Sequence, residues 1–322
     1  MPPERRAPAA SSATSVAPPV AKLVMIGTGL IGGSFALALR AAGQVETVVG
    51  VGRSRANLDA AQALSIVDRS VTLNGDWTGE LADADLVFLA TPVAQYPALL
   101  AAIAGRIGPR AIITDAGSTK QDVIRAARTA LGAALSRFVP GHPIAGTEHS
   151  GAAAAFASLY RGRNVVLTPT PDTDPDTVAT VAALWTACGA RVSTMDPLAH
   201  DRIFAAVSHL PHLLAFALVD AFAARSDAED IFRFAASGFR DFTRIAGSSP
   251  EMWRDISLAN RDALLAEVAA FRAQLDRIAV MVAAGDGAAL EAVFGRARVA
   301  RRDWEARSTA TAGAKADGQR DG

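Results

Sequence analysis

The chain has 322 residues, half of them hydrophobic, and its 32 basic and 32 acidic side chains give a formal net charge of zero. This length allows two domains with a substantial core, and the charge balance gives no general attraction for nucleic acid or an anionic membrane. A single cysteine, Cys188, excludes an intrachain disulfide and fits a reducing compartment, so we expect a cytoplasmic protein. No uninterrupted apolar run reaches the length of a membrane span, and no metal site is predicted.

Both ends of the chain differ in composition from its middle. Residues 1–20 are rich in Pro, Ala and Ser and lack the apolar core of a signal peptide. They predict a disordered leader, with a targeting sequence as the alternative. Residues 306–322 have the same character and predict a disordered tail.

The segment 22-KLVMIGTGLIGGSFALALRAAG-43 passes from an apolar run through a glycine-rich turn into an apolar helical pattern. Strand, turn and helix in this order form the dinucleotide-binding fingerprint. The first glycine permits the tight turn, the second lets the backbone approach a pyrophosphate, and the third lets helix and strand pack closely. The N–H groups that begin the helix then face the anion. Cofactor binding is therefore assigned to Gly27, Gly29, Leu30, Ile31 and Gly32.

The end of the next strand bears on the choice of cofactor. An acidic residue there would bond the ribose 2′-hydroxyl of NAD, but this chain has Gly52 followed by Arg53, Ser54 and Arg55. Guanidinium groups and a hydroxyl suit a 2′-phosphate, so we expect NADP to be preferred, with NAD as the other candidate. Alternatively, Ser54 caps the next helix and both arginines are solvated.

Two further strand patterns, 85-DLVFLATPV-93 and 110-RAIITDAGSTK-120, alternate with helical patterns. This alternation predicts an α/β fold, a doubly wound parallel sheet of the Rossmann type. Ligands of such sheets lie outside the carboxyl ends of the strands. The predicted crevice-lining residues are Thr91, Pro92, Val93 and Asp115. For Thr91 and Asp115, turn formation and helix capping are equally good interpretations.

The loop 138-FVPGHPIAGTEHSG-151 carries two histidines and a glutamate among glycines. A histidine in such a loop has no helix face to fill, and Pro143 favours an extended conformation for His142. We therefore predict that His142 is functional. Glu148 and His149 are weaker candidates.

From residue 196 the pattern is helical, which predicts a Rossmann domain over 21–195 and an all-α domain over 196–305. The first long helix has Asp196 as its N-cap. At 100° per residue, Asp201, Ser208 and His212 lie in one stripe, facing either a site or a neighbouring helix, unless Pro211 kinks the helix. So many apolar helices suggest a homodimer formed through this domain.

The segment 237-SGFRDFTRIAGSSPEMW-253 concentrates Arg240, Asp241, Arg244 and Trp253 around a predicted break in the helix. An arginine beside aromatic rings near a cleft is typical of a carboxylate clamp. A solvated helix face is the alternative.

Five motifs together resemble the prephenate/arogenate (cyclohexadienyl) dehydrogenase family, over about residues 22–305. They are GTGLIGGS (27–34), DAGSTK (115–120), HPIAGTEHSG (142–151), HDRIFAAVSHLPH (200–212) and GFRDFTRIAGSSPEMW (238–253). The resemblance implies tyrosine biosynthesis. Prephenate or arogenate would lose a hydride to NADP or NAD and then CO2, giving 4-hydroxyphenylpyruvate or tyrosine.

The resemblance also implies residue roles. His142 would accept the proton of the ring hydroxyl, and Ser118 would orient that hydroxyl. Arg244 would hold a substrate carboxylate, with His212 and Glu148 shaping the pocket.

Two other functions remain open from the residues alone. A β-hydroxyacid-type dehydrogenase would be expected to use a lysine in the helical domain, but the chain has none between Lys120 and Lys315. A non-catalytic NADP-sensing protein would not need His142, Ser118 and Arg244 together.

Overall fold

The computed structural model describes residues 19–147 and 149–313, with side chains described as far as Arg307. Most of the predicted leader lies outside the described residues, and the first strand begins at Val20. The last helix continues to Gly313, so the prediction of a disordered tail is wrong for residues 306–313. This segment is rich in alanine and has no proline, so it extends an existing helix without the cost of nucleating a new one.

Six strands form one parallel sheet in the order β3-β2-β1-β4-β5-β6. The order reverses direction between β1 and β4, and this switch point is where doubly wound sheets bind their ligands. The strands are β1 Val20–Ile26, β2 Val45–Gly52, β3 Arg69–Thr72, β4 Leu86–Leu89, β5 Ile112–Asp115 and β6 Phe138–Val139.

Helices cover both faces of this sheet, as predicted. Along β1, Leu23 and Met25 belong to one buried hydrophobic cluster, whereas Val24 and Ile26 belong to a second. This alternation follows from the two-residue period of a strand, and it needs apolar cover on each face. The helices of this part are α1 Leu30–Ala41, α2 Arg55–Ala63, α3 Tyr96–Ile103, α4 Gln121–Ala130 and α5 Pro175–Ala187.

A second, three-stranded sheet was not predicted. It consists of β7 Gly141–Pro143, β8 Asn164–Leu167 and β9 Arg191–Thr194, with β7 antiparallel to β8 and β8 parallel to β9. Pro140 separates β6 from β7 and has no N–H to continue the first sheet, so the chain changes sheets there.

Cys188 ends α5 as a buried residue, and burial raises the pKa of its thiol to about 12. Cys188 therefore packs as a small buried side chain of the hydrophobic core.

The remainder of the described chain is helical. Asp196 caps the first of these helices, as predicted, by accepting a hydrogen bond from the Ala199 N–H at 2.9 Å. One π-helical turn, Ala205–His209, follows that helix, and Pro211 lies in the first turn of the next helix, where its missing N–H costs nothing. The helices are α6 Pro197–Phe204, α7 Leu210–Ala223, α8 Ala228–Arg233, α9 Ser237–Thr243, α10 Pro250–Ala259, α11 Arg261–Ala283 and α12 Gly287–Gly313.

The segment Pro197–Ala223 is long and apolar enough, by length and composition alone, to cross a membrane, with a mean hydropathy of 1.6. However, it carries His200, Asp201 and His209, which are buried and hydrogen-bonded within the protein. These contacts are those of a core helix in a globular protein.

The chain packs as two compact units that divide between Leu264 and Leu265, inside α11. The predicted division was at residue 196. Buried hydrogen bonds explain the difference, because the Asp201 carboxylate of α6 accepts from the N–H groups of Lys120 and Gln121 at the start of α4. The first helices after residue 196 are thereby joined to the parallel sheet.

Candidate active site

The glycine turn after β1 has the geometry of a pyrophosphate cradle. Gly27 has a φ of +106°, and a Cβ at this position would lie 2.3 Å from the Ala90 carbonyl oxygen. A Cβ on Gly32 would lie 2.0 Å from the Gly27 carbonyl oxygen, whereas a Cβ on Gly29 would meet nothing within 4 Å. Gly29 caps α1 without a side-chain hydrogen bond, so the first N–H groups of α1 remain available to an anion. These residues therefore fit a dinucleotide.

The three residues that favoured NADP all have partners in the protein. Ser54 caps α2 by accepting from the Asn57 N–H at 3.3 Å, which is the structural alternative considered above. Arg55 pairs with Asp59 at 2.5 Å, and Arg53 lies 3.5 Å from Glu251. Both ion pairs are exposed, so each is weak and open to exchange with another anion.

Asp115 was predicted to line the cofactor crevice, and that prediction is wrong. Its carboxylate is completely buried and accepts from the N–H of Gly117 at 2.7 Å and the N–H of Gly141 at 2.9 Å. The Lys120 ammonium lies 2.6 Å from the same carboxylate and also donates to the Gly141 carbonyl oxygen at 2.7 Å. A buried ammonium needs such a partner, so Asp115 fastens the loop after β5 to β7.

The other loop residues stand at the expected strand ends. Thr91 and Pro92 follow β4 and are half-buried, whereas Val93 is buried. The Thr91 hydroxyl is buried and has no hydrogen-bond partner in the described part of the chain. Ser118 is half-buried in the loop that Asp115 holds. Glu148 lies outside the described residues.

His142 lies in β7 at one end of a buried polar chain that runs through His200 to Asp201. The Nδ1 atom of His142 is 2.9 Å from Nε2 of His200, and Nδ1 of His200 is 2.9 Å from the Asp201 carboxylate. The Phe204 ring packs against both imidazoles, with centroid separations of 4.7 and 4.5 Å. Both imidazoles are therefore buried, although His142 also lines a cavity.

The direction of these hydrogen bonds follows from Asp201, which only accepts because it is ionised. Nδ1 of His200 therefore carries the proton, and Nε2 of His200 accepts from Nδ1–H of His142. This leaves the lone pair on Nε2 of His142 as the basic site. The chain of contacts thus fixes the tautomer that a general base requires.

Electrostatics keeps both imidazoles neutral. Burial lowers the pKa of His142 well below its usual value, and the positive charge of Lys120 adds to this shift. Burial also lowers the pKa of His200. Burial alone would raise the pKa of Asp201, but hydrogen bonds from His200 and from two backbone N–H groups lower it. A neutral base beside an ionised carboxylate is the state that can accept a proton.

A cavity of about 450 Å³ brings together three of the predicted residues, His142, His212 and Arg244. The imidazole of His212 stacks on the Trp253 ring, with centroids 3.5 Å apart and planes at 19°. Nδ1 of His212 donates to the Ser208 carbonyl oxygen at 2.9 Å. The cavity therefore has an imidazole base, an aromatic platform and a guanidinium on its walls.

Arg244 is exposed at the start of a 3₁₀ turn after α9, and no carboxylate within the described ranges forms an ion pair with it. Burial lowers the pKa of His212, and the positive charge of Arg244 lowers it further. A guanidinium without a protein partner at the wall of a cavity is suited to bind an anionic ligand.

The predicted stripe of Asp201, Ser208 and His212 does not exist. The π-helical turn Ala205–His209 adds a residue to the turn, so angles counted at 100° per residue fail across it. Ser208 and His212 line the cavity, whereas Asp201 is buried and binds the start of α4.

Three residues of the buried hydrogen-bond network around the site were not singled out from the sequence: His200, Lys120 and Asn260. The Asn260 amide donates to the Asp201 carbonyl oxygen at 2.7 Å and to Nδ1 of His209 at 3.0 Å. The adjacent His200 and Asp201 were the available signal, because two polar residues interrupt an otherwise apolar helical pattern. Nothing in the sequence shows that His200 reaches a histidine 58 positions away.

A doubly wound sheet with a pyrophosphate cradle, together with a cavity lined by a buried neutral imidazole, is the arrangement expected of a nicotinamide-dependent dehydrogenase.

Comparisons with known proteins identify the family. Residues 35–194 match the model for the nucleotide-binding domain of prephenate dehydrogenase, and residues 196–296 match the model for its dimerization domain. Cyclohexadienyl dehydrogenase from Zymomonas mobilis is 36% identical over 281 residues, covering 87% of this chain and 94% of the relative. The chain therefore belongs to the prephenate dehydrogenase family.

Solved structures agree with this assignment. Prephenate dehydrogenase from A. aeolicus, in complex with hydroxyphenyl propionate and NAD+, has a TM-score of 0.81 at 34% identity, covering 88% of this chain and 98% of that one. Synechocystis arogenate dehydrogenase has a TM-score of 0.72 at 30% identity, covering 88% and 99%. The predicted fold class, a Rossmann-type sheet followed by helices, is confirmed.

Proposed function

We propose that this protein oxidises and decarboxylates prephenate, arogenate or both, with NADP preferred over NAD. The observation that carries the proposal is one cavity lined by His142, whose partners fix it as a neutral base, and by Arg244, whose guanidinium has no ion-pair partner among the described residues. A ring hydroxyl and a carboxylate on one substrate would engage both groups at once.

The mechanism assigns the proton to His142. Its Nε2 atom accepts the proton of the ring hydroxyl, while the bound nicotinamide supplies the acceptor for the hydride of the carbinol carbon. The charge gained by His142 is stabilised through His200 by the Asp201 carboxylate, which stays ionised throughout. When CO2 leaves, its bonding electrons make the ring aromatic, and His142 returns its proton to the ring oxygen. We assign Ser118 to orient the hydroxyl, and His212 and Glu148 to shape or gate the pocket.

The preference for NADP is supported by Gly52, which stands where an acidic residue would bond the ribose and repel a phosphate. Arg53 and Arg55 are exposed at the same strand end, and their carboxylate partners are surface residues that a 2′-phosphate would displace.

We also propose that the protein is a cytoplasmic homodimer, with residues 21–195 holding the cofactor and residues 196–305 forming the dimer contacts. The second unit supports this assignment because its helices expose large apolar side chains, which a partner copy would cover. They include Leu275, Val280, Val282, Phe294 and Val299.

The test is a set of initial rates with prephenate and with arogenate, each with NAD and with NADP, followed by the absorbance of reduced nicotinamide. Turnover with either substrate is expected, and the ratios of kcat/KM decide both preferences. Folded protein that binds NADP and gives no turnover in any combination would overturn the proposal.

A further inference from the structure

A second arginine, Arg163, lines the cavity that contains His142 and Arg244. Within the described ranges neither Arg163 nor Arg244 forms an ion pair, and no described Asp or Glu lines the cavity. Two like charges at one cavity repel each other, and neither has a counter-charge among the described residues. A ligand that carries two negative charges would reduce the repulsion between the two arginines and give each of them a counter-charge.

We propose that Arg163 binds the second carboxylate of the substrate, the one attached to the ring carbon that loses CO2, while Arg244 binds the side-chain carboxylate. This inference rests on the proposed function and deepens it. Prephenate and arogenate each carry both carboxylates at the end of the ring opposite the hydroxyl, so their charge pattern matches two arginines facing one base.

The sheet register gives the offset between Arg163 and His142 along the strands, and the cavity lining shows that the Arg163 side chain reaches the same cavity. His142 pairs with Val166 across the antiparallel strands β7 and β8, and Arg163 precedes Val166 by three residues. At about 3.4 Å per residue, this is about 10 Å along the strand. A six-membered ring with its hydroxyl at His142 extends a carboxylate over most of that distance, and the flexible arginine side chain covers the rest.

The backbone of Arg163 is fixed although its side chain is exposed. Its N–H donates to the Tyr160 carbonyl oxygen at 2.9 Å, and its own carbonyl oxygen accepts from the Arg191 N–H at 2.7 Å. The guanidinium of Arg163 is therefore carried by an exposed side chain on a fixed backbone. It can move to contact a ligand without disturbing the fold.

The chemistry of decarboxylation predicts a specific kinetic signature. As CO2 leaves, the bond between the ring carbon and the carboxyl carbon breaks, and its electron pair moves into the ring, so the carboxylate loses its negative charge. A cation that holds this carboxylate therefore stabilises the bound substrate more than the transition state. Removing Arg163 should raise KM without lowering kcat.

The experiment compares Arg163→Gln with Arg163→Lys and Arg244→Gln. Arg161→Gln is the matched control, because Arg161 is an exposed arginine two residues away that does not line the cavity. The substrate is whichever of prephenate and arogenate the wild-type protein turns over faster. Hydroxyphenyl propionate, with one carboxylate, is the competing inhibitor.

Arg163→Gln should raise the substrate KM about tenfold, the size of one charge-assisted hydrogen bond at a partly exposed site, and should not lower kcat. It should leave the inhibition constant of hydroxyphenyl propionate unchanged, whereas Arg244→Gln should raise that constant. Arg163→Lys should restore most of the affinity, and Arg161→Gln should behave as the wild type.

An unchanged KM in Arg163→Gln, or an equal loss of affinity for the one-carboxylate inhibitor, would overturn this inference alone. Wild-type protein that turns over neither substrate would overturn the proposed function and this inference with it.

Discussion

The cavity has two unlike walls. On one wall, His142 is buried and is joined through His200 to Asp201 by hydrogen bonds of 2.9 Å. The same cavity is also lined by Arg163 and Arg244, which are exposed and have no acidic partner among the described residues. We call His142 with its buried partners the buried wall and the two arginines the exposed wall. Fixed buried contacts hold a base in one tautomer and one position, whereas exposed charges attract an anion without setting its geometry. The buried wall should therefore control kcat, and the exposed wall should control KM.

The strongest test of this division is His142→Asn. Because asparagine cannot accept the hydroxyl proton, kcat should fall by about 10²- to 10⁴-fold, the usual contribution of general base catalysis. NADP affinity should not change, since the pyrophosphate cradle is intact. Steady-state rates and titration of the cofactor measure the two quantities.

His149→Asn is the control for His142→Asn, because His149 is an exposed histidine of the same loop. Its kcat should stay near the wild-type value. Near-normal turnover in His142→Asn would remove His142 from the mechanism.

Asp201→Asn tests the buried wall without touching the base itself. If the asparagine turns its NH2 group towards His200, that group donates to Nδ1 of His200, and the proton moves to Nε2 of His200 and then to Nε2 of His142, the wrong tautomer. If it turns its oxygen there, that oxygen keeps accepting from His200 and from the Lys120 N–H, but the negative charge that stabilises protonated His142 is lost. In both orientations kcat should fall by about 10- to 100-fold with KM little changed.

The matched control is Asp122→Asn, which removes a neighbouring carboxylate that makes no contact with either histidine. Equal losses of kcat in Asp201→Asn and Asp122→Asn would mean that the general loss of negative charge, and not the tautomer, is responsible.

The two walls also differ in how far the sequence predicts them. His142 and Arg244 stand in short loop and turn motifs, where residue type and local context already indicate function. His200 and Asp201 stand in an apolar helix, and their contacts depend on how α6 packs against β7 and α4. Packing over such separations leaves no periodic pattern in the sequence.

Local features that the sequence does not show explain the predictions that were wrong for the helical stripe and for Asp115. The π-helical turn Ala205–His209 shifts Ser208 relative to Asp201. The helix propensities of its residues do not predict this turn. Asp115 follows a strand as a crevice residue would, but Lys120 binds it in the interior. The glycine turn was predictable because steric limits at Gly27 and Gly32 allow no other residue.

Acid should destabilise the fold through the buried histidines, and His209 has the clearest effect. The pKa of His209 is lowered to about 4, first by burial, and the Asn260 amide donates to its Nδ1, which favours the neutral ring. Between pH 6.5 and 4 the unfolded chain binds a proton that the folded chain does not, so the free energy of unfolding falls as pH falls.

From pH 7 to pH 5, His209 alone should lower the free energy of unfolding by about 2 kcal/mol. The lowered pKa values of His142, His200 and His212 act in the same direction. Urea unfolding at both pH values measures the loss, and His209→Gln should reduce it. An identical loss in the variant would mean that the other histidines carry the whole effect.

The smallest expected effect concerns another exposed charge pair, Arg53 with Glu251, which lie 3.5 Å apart. If exposed arginines govern affinity here as we propose for the cavity, then Glu251→Gln should free Arg53 for the 2′-phosphate and lower the Kd for NADP about threefold, the size of a surface ion pair. The Kd for NAD should stay constant, because NAD has no 2′-phosphate. Equal changes for both cofactors would show that Glu251 acts on the loop and not on Arg53. A preference for NADP would then have to come from Gly52, where the acidic side chain is missing.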